Sequence, residues 1–167
     1  MSSARKLLVG GGLALALWGM AYGFYYAAFV EHQTLDRIGS SLASGFTFAA
    51  QRNLPEAHAA LEASARATYV YVRQVDAHGH WIGLSMLLIV LAACFNRLGF
   101  GEKQRWYLAL SLLVGAITFP LGVLFETASG GGGPKIIAIA GSALIILALL
   151  GVAVGFICGE TENSREG

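Results

Sequence analysis

Residues 75–95 read VDAHGHWIGLSMLLIVLAACF, with Asp76, His78 and His80 standing directly before an uncharged apolar run that begins at Trp81. At a helical rise of about 1.5 Å per residue, the run from Trp81 alone falls short of a hydrocarbon core of about 30 Å. Including the histidine-bearing segment makes it long enough to cross and puts both imidazoles at the boundary. Inside a bilayer no water satisfies the backbone, so such a run must be helical. Polar side chains at that depth cost a few kcal/mol if unpaired, so they mark a ligand, an ion path or a cofactor.

Working outward, three more runs have the same length and character. The four predicted spans are 7–30, 75–95, 106–125 and 136–158, within a single membrane domain covering 1–167. The chain is 56% hydrophobic and only 13% charged, which excludes an ordinary soluble domain. A net charge of +1 with scattered basic residues excludes nucleic acid as a partner. Arg5 and Lys6 before the first run resemble a signal peptide in outline. The run is longer than a usual signal core and no small-residue cleavage site follows it, so it is read as a retained anchor.

Arg5, Lys6, Arg97, Lys103 and Arg105 gather on one side, which predicts that both termini are cytoplasmic. The acidic tail, with Glu160, Glu162 and Glu166, does not oppose this. Tyr22, Phe24, Tyr25, Tyr26 and Phe29 at the outer end of span one, Trp81 at the head of span two, and Trp106 with Tyr107 at the inner face read as interfacial belts.

Residues 31–74 are too long for a simple connector. Leu35, Ile38, Leu42, Phe46 and Ala49 recur at helical spacing, predicting a helix that lies on the membrane or packs over the spans. Asn53-Leu54-Pro55-Glu56 reads as a new helix start, with Glu62 and Arg66 spaced as a surface pair. No breaker follows until Gly79, so this helix is expected to run into span two. The predicted fold is therefore all-α: an integral membrane four-helix bundle with an extracytoplasmic helical hairpin between spans one and two, its turn at 51–54.

The remaining breakers have plain readings. Pro120 predicts a kink in span three. The glycine loop at 130–134 lacks the Ser or Thr after Lys135 that a phosphate-binding loop needs. Gly19 with Gly23, and Gly151 with Gly155, predict close helix packing within the bundle or between subunits. Cys94 and Cys158 read as small apolar packing residues.

The four histidines are His32, His58, His78 and His80, and His58 is expected to be solvated. Residues two apart on a helix point about 200° from each other, so His78 and His80 cannot chelate one ion together unless Gly79 opens the backbone. Asp76 precedes His80 by four residues, suited to hold one ring nitrogen while the other binds a metal. His78 shares its face with Tyr71, Gln74 and Ser85. Haem iron and copper both accept neutral imidazole. His32, Met20 or Met86 would supply a second ligand, and Glu31 and Glu126 are candidate oxygen donors at the outer boundary.

The segment 75–94 resembles the start of the second helix in catalytic subunits of haem–copper oxidases and nitric oxide reductases, where a His at the outer end of a helix ligates a low-spin haem. The chain also resembles small uncharacterised bacterial four-helix membrane proteins with H-x-H at this place, which share a first span ending like Gly23-Phe24-Tyr25-Tyr26 and then charge, as Glu31 supplies here. The resemblance implies a bacterial inner membrane protein and carries over only His78 or His80 as a haem ligand. No later span has a His, so the second haem ligand and the copper-binding histidines of those subunits have no counterparts. The sequence thus predicts haem b, or copper or another metal, bound near the outer face through His80, His78 and His32, with Glu31 as a metal oxygen donor and Asp76 behind His80. The expected role is electron transfer or service as an accessory to a respiratory complex. The alternative is a metal-free scaffold acting through helix contacts and the outer hairpin, with a homo-oligomer or larger membrane complex as its partner. A transporter ranks third, because Ser85, Ser111, Thr118 and Ser142 are almost the only polar residues within the spans. Side-chain catalysis has no support: no nucleophile with a base and no carboxylate pair appears.

Overall fold

The computed structural model describes residues 2–128 and 132–163. Gly130, Gly131 and Glu166 lie outside the described residues, as do the side chains of Glu160 and Glu162. The described residues form five α-helices: α1 (Ser3–Phe29), α2 (Glu31–Ala50), α3 (Leu54–Cys94), α4 (Glu102–Phe125) and α5 (Gly132–Asn163). A short 3-10 turn, Phe95–Arg97, follows α3, and no strand occurs among the described residues. The segments Ser3–Phe29, Leu54–Arg97, Glu102–Phe125 and Gly132–Gly159 are long and apolar enough to cross a membrane. Helices overrun the apolar stretches because polar residues such as Ser3, Arg5 and Glu102 keep the same backbone bonds. In α4 the helix passes through the buried Pro120 without a break.

The chain divides into two compact units, Met1–Met20 with Ala77–Gly167, and Ala21–Asp76. In the first, α4 and α5 meet backbone to backbone. A Cβ built at Gly122 would lie 2.3 Å from the Ala138 nitrogen, and one at Gly141 would lie 2.5 Å from the Phe119 nitrogen. Only hydrogen fits at either place. Between lipid-facing helices, where apolar association is not driven by water, such small-residue approach is the main source of attraction. The segment before α4 is tied to α5 as well, since the Gly99 amide donates to the Gly155 carbonyl at 2.8 Å. Leu8, Leu88, Phe95 and Leu112 are fully buried in this unit.

In the second unit, α2 meets the first part of α3 through small residues. Gly45 sits against Leu61, and the Ser64 hydroxyl donates to the Ile38 carbonyl at 3.2 Å. Ala57, Ser64 and Ala67 are buried, whereas Val72 and Val75 stay exposed. Of the stripe read on α2, only Ile38 is half-buried; Leu35, Leu42, Phe46 and Ala49 are exposed. The helix therefore turns its small residues inward and leaves its bulky apolar ones uncovered. The Glu62–Arg66 pair forms at 3.7 Å with both side chains exposed, a geometry that contributes little to stability.

The turn joining α2 to α3 has a specific construction. The Arg52 amide donates to the Ala49 carbonyl and the Asn53 amide to the Phe48 carbonyl, both at 2.9 Å. This doubly bonded helix end normally takes glycine in the left-handed region. Here Arg52 occupies it, at φ 59°. The Asn53 carbonyl then accepts the first bond of α3 from Ala57. Arg52→Gly is expected to stabilise this turn by up to about 1 kcal/mol, and the β-branched Arg52→Ile to destabilise it by a similar amount. Hydrogen exchange at the Arg52 and Asn53 amides, slower in the first variant and faster in the second, is the check.

Candidate functional site

Helix α3 runs through Gly79 in regular α conformation, so His78 and His80 diverge. In the first unit the Nδ1–H of His78 donates to the Gly19 carbonyl of α1 at 2.9 Å. This bond fixes the tautomer and leaves the Nε2 lone pair available. His80 goes to a different helix. Its ring packs on Phe119 of α4 with centroids 4.7 Å apart, and no hydrogen bond to it occurs among the described residues. The close approach of α1 is set at Gly19, where a Cβ would lie 3.1 Å from that of Trp81.

Trp81 is not an interfacial anchor. It is 1% exposed and meets Trp18 edge to face at 6.0 Å. Its place in the helix contacts, one residue after His80, outweighs its position at the head of the apolar run. Trp106 and Tyr107 are exposed, as belt residues would be, and pack edge to face on each other. Two of the polar residues of the spans are satisfied within their own helices: the Ser85 hydroxyl donates to the Ile82 carbonyl at 2.7 Å and the Thr118 hydroxyl to the Val114 carbonyl at 2.9 Å.

In the second unit, Glu31 and His32 go separate ways. A Glu31 carboxylate oxygen accepts from the Tyr71 hydroxyl at 3.1 Å. His32 pairs with Asp36 at 3.4 Å, both side chains exposed. The Tyr22 hydroxyl donates to the Gln74 side-chain amide oxygen Oε1. Between these two pairs lies the buried Tyr26, its ring centroid 6.4 Å from those of Tyr22 and Tyr71. Its hydroxyl is buried, with the Thr34 hydroxyl as a neighbouring hydrogen-bonding group. Phe24, Tyr25 and Phe29 of the same cluster are exposed, so the aromatic end of α1 splits into an outward and an inward face. Asp76 is half-buried and makes no hydrogen bond or ion pair among the described residues. His58 is exposed, as are Met20 and Met86.

The tyrosine–glutamine–glutamate cluster is not singled out by the sequence reading. Its signal is there in retrospect: Tyr22 and Tyr26 one turn apart on α1, and Tyr71 and Gln74 on one face of α3. Among the described residues, no group of three His, Cys, Asp or Glu side chains gathers to hold a metal ion. No family model, curated protein or solved structure matches the chain.

Proposed function

We propose that this chain is a membrane scaffold or assembly protein: a four-helix bundle with both termini cytoplasmic, whose extracytoplasmic hairpin at 31–74 engages a further copy or another membrane subunit. The observation that carries this reading is the exposed apolar face of α2. Phe46 is 68% exposed, in line with Leu35 and Leu42 on a helix that does not itself qualify as a span. Uncovered apolar surface of this kind, rimmed by polar residues such as Asp36 and Ser40, marks an interaction face. The engagement of His78 with a backbone carbonyl gives that histidine a role in joining helices.

The test is native electrophoresis of membranes extracted in mild detergent. Leu42→Glu with Phe46→Glu is expected to shift the protein from a large assembly to a small species while its helical circular dichroism stays unchanged. Migration identical to the parent chain would sink the reading.

One observation favours a second reading, in which the chain binds haem b. The Nδ1–H bond of His78 leaves Nε2 as a ligand with its ring already oriented, the arrangement that metal-bound imidazoles use. On this reading, protein expressed with added haem shows a Soret band that His78→Leu abolishes. On the scaffold reading both are colourless, and His78→Leu loses about 1 kcal/mol of stability with its interhelical bond.

A further inference from the structure

A cavity of about 420 Å³ opens in the first unit between α1, α3 and α4. Gly11 and Ala14 line it from α1, with Leu113 of α4 packed against Gly11. Trp18 and Trp81 form one wall as an edge-to-face pair, and Ile117 with Leu121, one turn apart on α4, form another. Its lining is apolar, with glycine and alanine completing it. All three helices belong to segments long and apolar enough to cross a membrane.

We infer that this cavity takes one acyl chain of a bilayer phospholipid. Ordered water is disfavoured in such a space, because it needs two or more polar partners and the walls offer almost no polar surface. An apolar cavity of ~150 Å³ already accepts a benzene-sized guest, and this one is far larger and lies within the range of about 300–1,000 Å³ typical of ligand pockets. The cavity is partly open to its surroundings, and Trp18, one of its lining residues, is exposed. For helices that cross a bilayer, the medium at that opening is hydrocarbon. The fluid that meets an apolar gap there is the phospholipid chain itself, and entry restores the dispersion contacts that an empty gap forfeits. The inference depends on the membrane setting and is independent of whether α2 docks a partner or His78 binds haem.

The three tryptophans make the test direct. The full chain carrying Trp18→Phe and Trp106→Phe, with Trp81 as sole fluorophore, is reconstituted in phosphatidylcholine vesicles whose chains are brominated at mid-length. Bromine quenches indole only near contact, and Trp81 is otherwise shielded by protein. Strong quenching is expected, falling at least two-fold when Ala14→Phe or, separately, Ile117→Phe fills the cavity. Helical circular dichroism identifies which of these variants is folded, and either one suffices. Unquenched Trp81, or quenching unchanged in a folded filled variant, would overturn the inference. So would recovery of a stoichiometric apolar molecule other than phospholipid in the organic extract of the purified protein.

Discussion

Gly122→Leu is expected to destabilise the folded chain by about 3 kcal/mol or more, the upper end of what overpacking costs. The reason lies in what a side chain at 122 would meet. Its Cβ would stand 2.3 Å from the nitrogen and 2.7 Å from the Cα of Ala138, both backbone atoms that no rotamer change can move. Helices α4 and α5 would have to separate along the whole seam, including the point where Gly115 approaches the Gly141 carbonyl. In a bilayer this loss is not offset by hydrophobic association, since lipid solvates the parted faces equally well. Gly83→Ala and Gly10→Ala, at helical positions where a Cβ meets open space, are expected to stay within about 0.5 kcal/mol of the parent. Thermal unfolding in detergent, followed by circular dichroism, measures all three. A parental melting temperature for Gly122→Leu would mean that α4 and α5 do not approach as described.

Trp81→Ala carries the second large effect. Removing a buried aromatic side chain costs about 3–5 kcal/mol in soluble cores, partly as lost transfer energy and partly as a cavity. Around membrane-spanning helices the medium is itself apolar, so the packing contacts are the larger part of the loss and the lower figure of about 3 kcal/mol is expected. Trp18→Ala removes the partner ring but from an exposed position, and is expected to cost less than about 1.5 kcal/mol, the aromatic pair's own share. The same unfolding measurement ranks the two. Equal losses would mean that Trp81 is no more enclosed than Trp18.

The helices were legible because their signal is one-dimensional. Apolar runs of sufficient length, the start at Asn53-Leu54-Pro55 and the unbroken pattern toward Gly79 all lie along the chain, and α3 follows them from Leu54 to Cys94. The divergence of His78 and His80 was legible for the same reason, as simple helical angle. Which face packs was not. On α2 and α3 the eye is drawn to Leu35, Phe46 and Val72, yet Gly45, Ala57 and Ser64 make the contact. A membrane chain is surrounded by solvent as apolar as its own leucines, so hydrophobic periodicity no longer points inward. The α4–α5 seam was legible in part: Gly151 and Gly155, at the four-residue spacing, do pack closely, against Leu108 and Phe100, whereas Gly115 and Gly122 are seven residues apart, two full turns, and lack that spacing. The bond from His78 to Gly19 joins residues 59 positions apart, and no local pattern foretells it.

The arginine in the left-handed position between α2 and α3 also gives the molecule an address. Trypsin cuts after arginine and prefers exposed, turned backbone to helix; Arg52 offers both, while Arg37, Arg66 and Arg73 sit inside helices. The turn is thereby the weakest point of the segment toward a protease, and the side of the bilayer from which it is cut first reports which compartment that segment inhabits.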